Sequence, residues 1–335
     1  MTKNKIKKVD FELLNLPTLY GDNKNIKVLS GKATRELALA SSKNKSNLTI
    51  NEFSNTAKHI GQVTIFEILE YDKRDKEIIS TRTHQVLMLL VNYFTLDNSK
   101  SNKHDLNLEV KLEIKKVAEL MGYDVYNPIK KKAKSETDNA RTMLNKEVDL
   151  LFNMKFTIKG QDGDYRDVRI VQSKGKERGY IVAELSNKLG LYLLEQQQNW
   201  YDLNLLGINK NDPNTYIIGT TIVDRWNTKK YTYKGKKKIE EPLPERDRLS
   251  VKNLLSKTTL PTYSYVLEKG LSWRYHIKDP FEESLNKLIE DHKVITCFNY
   301  GRANSELLTD EEYKDIDDFE TWINLNVYFE RDTEH

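Results

Sequence analysis

Hydrophobic and polar positions along residues 248–301 follow the order of a helix, a turn, a second helix and a strand. Ser250 precedes the first helix as a good N-cap, and Pro261 lies in the turn that ends it. Pro280 stands where the first turn of a new helix accepts proline. The apolar positions are Val251, Leu254 and Leu255 in the first helix, Phe281, Leu285, Leu288 and Ile289 in the second, and residues 294–298 in the strand, before a turn at 299–302.

The same order occurs once before, between residues 86 and 172. Three helices are predicted, with an extended piece at 108–110 between the first two and strands at 155–159 and 167–172. Gly122 ends the second helix and Ser135 begins the third. Their apolar positions are Val86, Leu87, Leu90, Val91 and Phe94, then Ile114, Val117, Ala118 and Met121, then Ala140, Met143, Leu144, Val148, Leu151 and Phe152. The sequence therefore predicts an α+β chain of two tandem winged helix-turn-helix domains, each of which places one helix in the DNA major groove.

The predicted domain organisation has three parts: a basic, largely flexible N-terminal arm over residues 1–60, a first winged-helix domain over 61–200, and a second over 201–335 with an acidic C-terminal segment. Asp212-Pro213 begins the first helix of the second domain. Further predicted elements are a helix at 34–39, a strand at 63–71, a hairpin turn at 160–164, a bridging helix at 186–195, and a strand at 322–329 that pairs with 294–298 to complete the wing.

Composition describes a polar chain of 335 residues, with 38% hydrophobic and 31% charged residues. No apolar run approaches the ~20 residues that a membrane helix requires. The basic N-terminus lacks the apolar core of a signal peptide. The single cysteine, Cys297, excludes an internal disulfide and an all-cysteine zinc site. We therefore expect a cytoplasmic protein with no membrane association.

The net charge is only +4, but its distribution is uneven. Lys and Arg outnumber Asp and Glu by 11 to 5 in residues 1–60 and by 10 to 4 in residues 226–260, whereas residues 306–335 carry 2 against 11. Such asymmetry favours a nucleic-acid partner, although ordinary solvated faces account for any single cluster equally well. The arm at 1–60 is either a phosphate contact or a flexible tail. The basic insertion at 228–245 is either a phosphate clamp or a mobile loop.

Candidate DNA-binding residues of the first domain lie before and along its third helix and in the wing that follows. Lysines before the helix neutralise phosphates, and Arg or Asn on its exposed face reaches base edges. The alternative is a charged loop and a solvated helix face. The candidates are Lys130, Lys131, Lys132, Lys134, Asn139, Arg141, Lys146, Lys174, Lys176 and Arg178.

In the second domain, aromatic and basic residues cluster ahead of Pro280, a mixture that stacks on and pairs with DNA. Trp273 is equally suited to a core position, and the cations are equally suited to surface ion pairs. The candidates are Lys252, Lys269, Trp273, Arg274, Lys278 and Arg302.

Catalytic patterns are absent from the sequence. No two of the six histidines are adjacent or one residue apart, so the metal pair of rolling-circle nicking enzymes is missing. There is no Walker A box, no Gly-x-Ser-x-Gly and no Cys/His nucleophile arrangement. We expect no enzyme activity, no metal and no cofactor. A nicking or recombining enzyme that uses one of the 18 tyrosines is the less favoured alternative.

Four runs, LSVKNLL, LPTYSYV, DPFEESLNKLIED and LLTDEEY, resemble the second half of replication initiators from plasmids and integrative elements of low-GC bacteria, of the tandem winged-helix, iteron-binding type. The resemblance implies two winged-helix domains, binding to repeated double-stranded origin DNA, recruitment of host initiator or helicase-loading proteins, and a monomer–dimer equilibrium with a homodimer through the first domain. A winged-helix transcriptional regulator is the alternative; inverted half-sites would favour it, and spaced direct repeats would favour an initiator.

Overall fold

The computed structural model describes residues 25–29, 62–68, 81–98, 105–123, 134–159, 165–187, 190, 198–227, 230–234, 237–241, 247–304 and 306–331. The chain divides into two compact units, residues 1–211 and 212–335. The helix at 34–39 and the turn at 160–164 lie outside the described residues. So does most of the helix predicted at 186–195.

The first unit combines a helical layer with small antiparallel sheets. Its elements are β1 (Asn25–Leu29), β2 (Gln62–Ile68), α1 (Thr81–Asp97), β3 (Glu109–Glu113), α2 (Ile114–Leu120), α3 (Lys134–Phe152), β4 (Met154–Lys159), β5 (Tyr165–Arg169), β6 (Val171–Glu177), β7 (Tyr180–Leu185), β8 (Gln198–Asp202) and a 3-10 helix (Leu203–Gly207). Three sheets have the strand orders β3-β7-β6, β2-β4-β5 and β1-β8. In the first of them the last strand, β7, lies between the other two.

The core of the first unit forms where α1, α3 and the β3-β7-β6 sheet meet. Nearly the whole circumference of α1 is buried, and after its polar first turn the helix is mostly apolar on all sides. The alternation of β3 and β7 turns every second residue inward. The buried side chains here include Val86, Leu90, Phe94, Val110, Leu112, Leu144, Val148, Leu151, Ile181 and Ala183.

The first turn of α1 is polar, yet it is buried. Arg82 donates from Nη1 to the carbonyl of Leu206 and from Nη2 to that of Met121, each at 3.1 Å. Gln85 donates from Nε2 to the carbonyls of Leu205 at 2.9 Å and Ile208 at 3.2 Å. These bonds satisfy interior carbonyls of the 3-10 helix, of the residue after it and of the end of α2, where unpaired groups are costly.

The second unit has a matching set of elements and several additions. They are α4 (Pro213–Asn227), β9 (Lys230–Lys234), β10 (Lys237–Glu241), β11 (Arg248–Ser250), α5 (Val251–Lys257), α6 (Tyr263–Glu268), a π-helical turn (Arg274–Lys278), α7 (Asp279–Glu290), β12 (Cys297–Gly301), α8 (Asp310–Lys314), α9 (Phe319–Ile323) and β13 (Asn326–Glu330). The main sheet has the order β11-β13-β12, and β9 pairs with β10.

Both units therefore show a helix, a short strand, further helices and two strands, with the last strand in the middle of the sheet. In the first unit only Arg178 and Gly179 separate β6 from β7, whereas residues 302–325 separate β12 from β13 in the second. This α+β organisation with small antiparallel sheets is compatible with winged-helix domains.

Caps and turns predicted from the sequence are confirmed at several points. The Ser250 side chain accepts the N–H of Asn253, as an N-cap does. Gly122 follows α2 with a φ of 77°. Pro213 begins α4, and the Asp212 carboxylate accepts the N–H of Thr215 at 3.4 Å.

Several boundaries predicted from the sequence are wrong. The strand placed at 294–298 runs from Cys297 to Gly301, because Val294 and Ile295 are buried in the connection before it. The turn predicted at 299–302 is therefore largely strand. Trp322 belongs to a helix, so the strand predicted at 322–329 begins at Asn326, although it does pair with β12. The segment at 167–172 belongs to two strands, and the insertion at 228–245 contains the β9–β10 hairpin.

Pro280 lies in the first turn of α7, as predicted, but the helical chain begins earlier. Residues Arg274–Lys278 form a π-helical turn directly before α7, and the N–H of Asp279 bonds to the carbonyl of Arg274. Proline has no N–H to continue the regular ladder, and a wider turn before it accommodates the missing bond. No helix in the described part of the chain is long and apolar enough to span a membrane.

Candidate nucleic-acid interface

The exposed face of α3 carries three of the side chains predicted to reach DNA. Asn139, Arg141 and Lys146 are all exposed, whereas Ala140 and Leu144 are buried in the core. At about 100° per residue, Asn139 and Lys146 lie on one edge of this face and Arg141 lies on the opposite edge. The packed face fixes the helix, and the other face is presented to solvent.

Two carboxylates lie between these edges and were missed by the sequence analysis. Asp138 Oδ1 is 2.9 Å from Arg141 Nη1, one turn along the helix. Asp149 forms an ion pair with Lys174 of β6. The spacing of Asp138 and Arg141 could have been recognised in the sequence, because residues three apart on a helix are neighbours. The pairing of Asp149 with Lys174 depends on the fold.

The wing of the first unit is the connection from β6 to β7. All β6 side chains after Val171 are exposed, including those of Lys174 and Lys176. Lys174 also lies over the Phe152 ring, with Nζ 4.9 Å from the centroid. Arg178 is exposed at the tip, and Gly179 follows with a φ of 84°, a conformation that favours glycine.

The lysine run before α3 stays a prediction. Lys130, Lys131 and Lys132 lie outside the described residues. The backbone of Lys134 begins α3, but its side chain is not among those described. Among the described residues, the Asp149–Lys174 ion pair connects α3 with the wing strand β6.

In the second unit, α7 and the turn before it correspond to α3. Phe281, Leu285 and Leu288 are buried on one face of α7. Arg274 lies in the π-helical turn and donates from Nη2 to the carbonyl of Ile316 at 3.1 Å. It also forms an ion pair with Asp317.

The segment that holds Ile316 and Asp317 also contacts the other cations near α7, and we call it the acidic insert (residues 306–325). Lys278 Nζ lies 4.4 Å from the centroid of the Tyr313 ring. Arg302 Nη2 lies 3.2 Å from Glu312 Oε1, and Arg302 Nη1 lies 3.5 Å from Glu306 Oε2. The acidic insert contains eight acidic residues and one lysine. It thus supplies partners for Arg274, Lys278 and Arg302, all predicted to contact DNA.

Trp273 packs among aromatic rings instead of standing free. Its ring centroid is 5.6 Å from that of Phe319 and 5.5 Å from that of Trp322, and Trp322 is fully buried. These contacts give Trp273 a structural role in holding the acidic insert. Lys252 on α5 and Lys269 after α6 are both exposed.

A hydrogen-bonded network ties α7 to the acidic insert and to β12. Tyr313 and Tyr300 both donate to the Glu282 carboxylate, Tyr300 at 3.3 Å, and Trp322 Nε1 donates to Tyr313 Oη at 3.2 Å. Burial raises the pKa of Tyr313, and the Glu282 carboxylate raises it further. Burial also raises the pKa of Tyr300. Both hydroxyls therefore stay protonated as donors, and the orientation of α7 is fixed from its own first turn.

Among the described side chains, no group of three or more His, Cys, Asp or Glu residues could hold a metal ion. The described residues define an α+β protein with small antiparallel sheets and with cations along a solvent-facing helix and wing.

No family model matches the chain, and no curated protein matches it. Among solved structures, the chain is similar to the crystal structure of selenomethionine derivatives of domains 2 and 3 of RctB. The similarity covers 89% of this chain and 98% of that chain, with 8% sequence identity and a TM-score of 0.39. A likeness this distant carries no argument about fold or function.

Proposed function

We propose that this chain is a sequence-specific double-stranded DNA-binding protein that initiates replication at repeats in a plasmid or mobile-element origin. Each of its two units is a winged-helix domain in this proposal. The observation that carries it is the repeated order of helices and strands, with the last strand central in both main sheets. In a winged helix the helix before the last two strands enters the major groove, and α3 and α7 occupy that place.

In the first unit, the described candidate DNA-binding residues of α3 and of the wing are exposed to solvent. Asn139 and Arg141 are of the residue types that pair with adenine and guanine edges, and Lys176 and Arg178 are exposed on the wing. Lysines and arginines on the wing serve phosphates, which position a protein without reading sequence. This division of tasks supports specific binding by α3 and general binding by the wing.

The assignment to replication, as opposed to transcription, is supported by the resemblance of residues 248–313 to plasmid and integrative-element initiators. In this proposal the protein acts without chemistry of its own. It deforms or opens neighbouring AT-rich DNA and recruits host initiator or helicase-loading proteins. A homodimer through the first unit is part of the same proposal.

Footprinting of the full-length protein on the DNA that flanks its own gene tests the proposal. We expect protection of several spaced direct repeats. Inverted half-sites at a promoter would instead establish a transcriptional regulator, and no protection of any duplex would reject DNA binding. Incubation with supercoiled plasmid and Mg²⁺ is the companion measurement, because accumulation of nicked circles would identify an enzyme.

A further inference from the structure

The β9–β10 hairpin of the second unit has an uneven distribution of charge along its length. At the end where the hairpin joins the rest of the unit, Glu241 lies opposite Lys230. At the other end, Lys237 lies opposite Lys234, and Lys238 lies opposite Tyr233. No Asp or Glu occurs in the sequence between Asp224 and Glu240. One end of the ribbon therefore carries an opposite-charge pair, and the other carries cations alone.

This arrangement is unfavourable for an isolated hairpin. Opposite charges directly across an antiparallel pair stabilise it, and like charges destabilise it. Among the described strands, β9 and β10 pair with each other and with no third strand. A ribbon of two strands is only marginally stable in water. Like charges at Lys234 and Lys237 therefore stand opposite each other in a two-stranded sheet, and a bound anion would reduce the repulsion between them.

We propose that Lys234, Lys237 and Lys238 form a binding site for the phosphates of duplex DNA, in addition to the contacts of α3 and α7. The inference rests on the proposed function and extends it to an element between the first helix and the first strand of the second unit. Lysine carries a compact charge that attracts phosphate without base preference. Duplex DNA carries one negative charge per ~1.7 Å of its axis, a density that matches neighbouring lysines.

A polyanion suits this site better than an acidic protein does. Lys234 and Lys237 are register partners on one face of the ribbon, and Lys238, one position further, belongs to the other face. The ribbon end therefore carries positive charge on both faces with little variety of residue type. Uniform charge of this kind favours the regular phosphate backbone of a nucleic acid over a specific acidic peptide. A two-stranded ribbon is also a shape that the major groove admits.

The test uses the full-length protein with Lys234→Gln, Lys237→Gln and Lys238→Gln combined. Each phosphate contact contributes about −0.9 to the slope of log affinity against log salt. We expect the slope of the triple variant to be shallower by about 2.7. A hydroxyl-radical footprint should lose protection of backbone positions while protection due to the other contacts persists.

A matched control removes the same charge elsewhere. Lys210, Lys293 and Lys314 are exposed and belong to none of the proposed contacts. Lys210→Gln, Lys293→Gln and Lys314→Gln combined should leave the salt slope unchanged. Equal slopes for the two triple variants would overturn the proposal, because net charge alone would then explain any loss.

A single substitution separates binding from hairpin stability. Lys234→Glu creates an opposite-charge pair with Lys237, so it should strengthen the hairpin. It should nevertheless weaken duplex binding by at least tenfold at low salt, since it removes one contact and adds a repulsive charge. Unchanged or tighter binding by Lys234→Glu would show that the lysines have no phosphate contact.

The outcomes distinguish the two proposals. If the wild-type protein binds duplex DNA and the Lys234/Lys237/Lys238 triple variant has the same salt slope, the hairpin site is rejected and the proposed function stands. Absence of wild-type binding to any duplex rejects both. If an acidic protein bound the wild-type protein but not the Lys234/Lys237/Lys238 triple variant, while both bound duplex DNA with the same salt slope, the hairpin would be assigned to a protein partner and the DNA site would be overturned.

Discussion

Asp149 places a negative charge in the middle of the α3 face that we propose for DNA. It holds Lys174, and both side chains are partly exposed. Because an exposed ion pair is worth at most about 1 kcal/mol, a phosphate can replace Asp149 as the partner of Lys174. The carboxylate therefore limits the affinity of the interface without preventing binding.

Asp149→Asn should tighten duplex binding, by up to about fivefold, and should steepen the salt slope by about one contact. Affinity measured by fluorescence anisotropy over a range of salt concentrations checks this. Asp105→Asn is the control, because Asp105 is an exposed acidic residue of the same unit outside α3 and the wing. If the two variants bind alike, α3 does not face DNA.

At the scale of elements, the acidic insert is fixed by its caps. The N–H of Thr309 donates to the Glu312 carboxylate at 2.9 Å, and the N–H of Glu312 bonds to Thr309 Oγ1 at 3.2 Å. The first of these bonds lowers the pKa of Glu312 below its ordinary value of 4.5. A carboxyl whose pKa is lower in the folded state stabilises the fold above its unfolded pKa, and the contribution is lost as pH falls through the folded pKa.

Glu312→Gln should therefore destabilise the second unit at neutral pH and have a much smaller effect once the pH is below the folded-state pKa of Glu312, where the native carboxyl is protonated. Urea unfolding at both pH values, followed by tryptophan fluorescence, measures the difference. A destabilisation that is equal at both pH values would show that the charge of Glu312 has no part in the cap.

The π-helical turn before α7 carries two cations, Arg274 and Lys278, that contact the acidic insert. Arg274→Ala with Lys278→Ala removes contacts to the acidic insert that are mostly at the surface, so the free energy of unfolding should fall by less than about 1 kcal/mol. We expect the footprint to shorten at one end of each repeat. Circular dichroism confirms the fold, and a full-length footprint with unchanged affinity would assign the second unit to protein interaction.

The sequence predicted element types better than element boundaries. Periodic apolar positions found α1, α3, α4 and α7, because each buries a continuous stripe against its core. They misplaced β12, because Val294 and Ile295 are buried in a connection, and burial alone resembles a strand. Helices of one turn, such as α8, have no periodicity to detect. The Thr309–Glu312 spacing was the available signal for α8.

The site was predictable only where the candidate residues and their partners lie close in sequence. Exposure of Asn139 and Arg141 follows from the helical period. The contacts of Arg274 and Lys278 with Asp317 and Tyr313 do not, because the partners are far apart in the chain and meet through the packing of Trp322.

At the scale of the whole molecule, each unit closes a core around its own sheet. In the first, Gln85 satisfies two interior carbonyls. In the second, a Cβ at position 301 would lie 2.7 Å from the Glu306 carbonyl oxygen and from Tyr328 Cε2, so only glycine fits there. Substitution at either position should act on its own unit.

We expect calorimetry to resolve two unfolding transitions. Gln85→Leu removes both side-chain bonds to the interior carbonyls and leaves that of Leu205 with a long backbone bond from the Ile208 N–H, so it should lower the stability of the first unit by about 1–3 kcal/mol. Gly301→Ala should lower that of the second by about 1–3 kcal/mol through overpacking. Each variant should move one transition by several degrees and leave the other in place. One common transition that both variants shift would mean that the two cores unfold together.

The first residue of β12, Cys297, carries the only thiol of the chain. Burial raises its pKa, and the nearby Glu330 carboxylate raises it further, so the reactive thiolate is scarce while the sheet is formed. Pulsed alkylation followed by mass spectrometry should therefore be slower in the folded protein than in the unfolded chain. No introduced label is required. DNA that binds the second unit should slow this alkylation, whereas DNA held by the first unit alone should leave it unchanged.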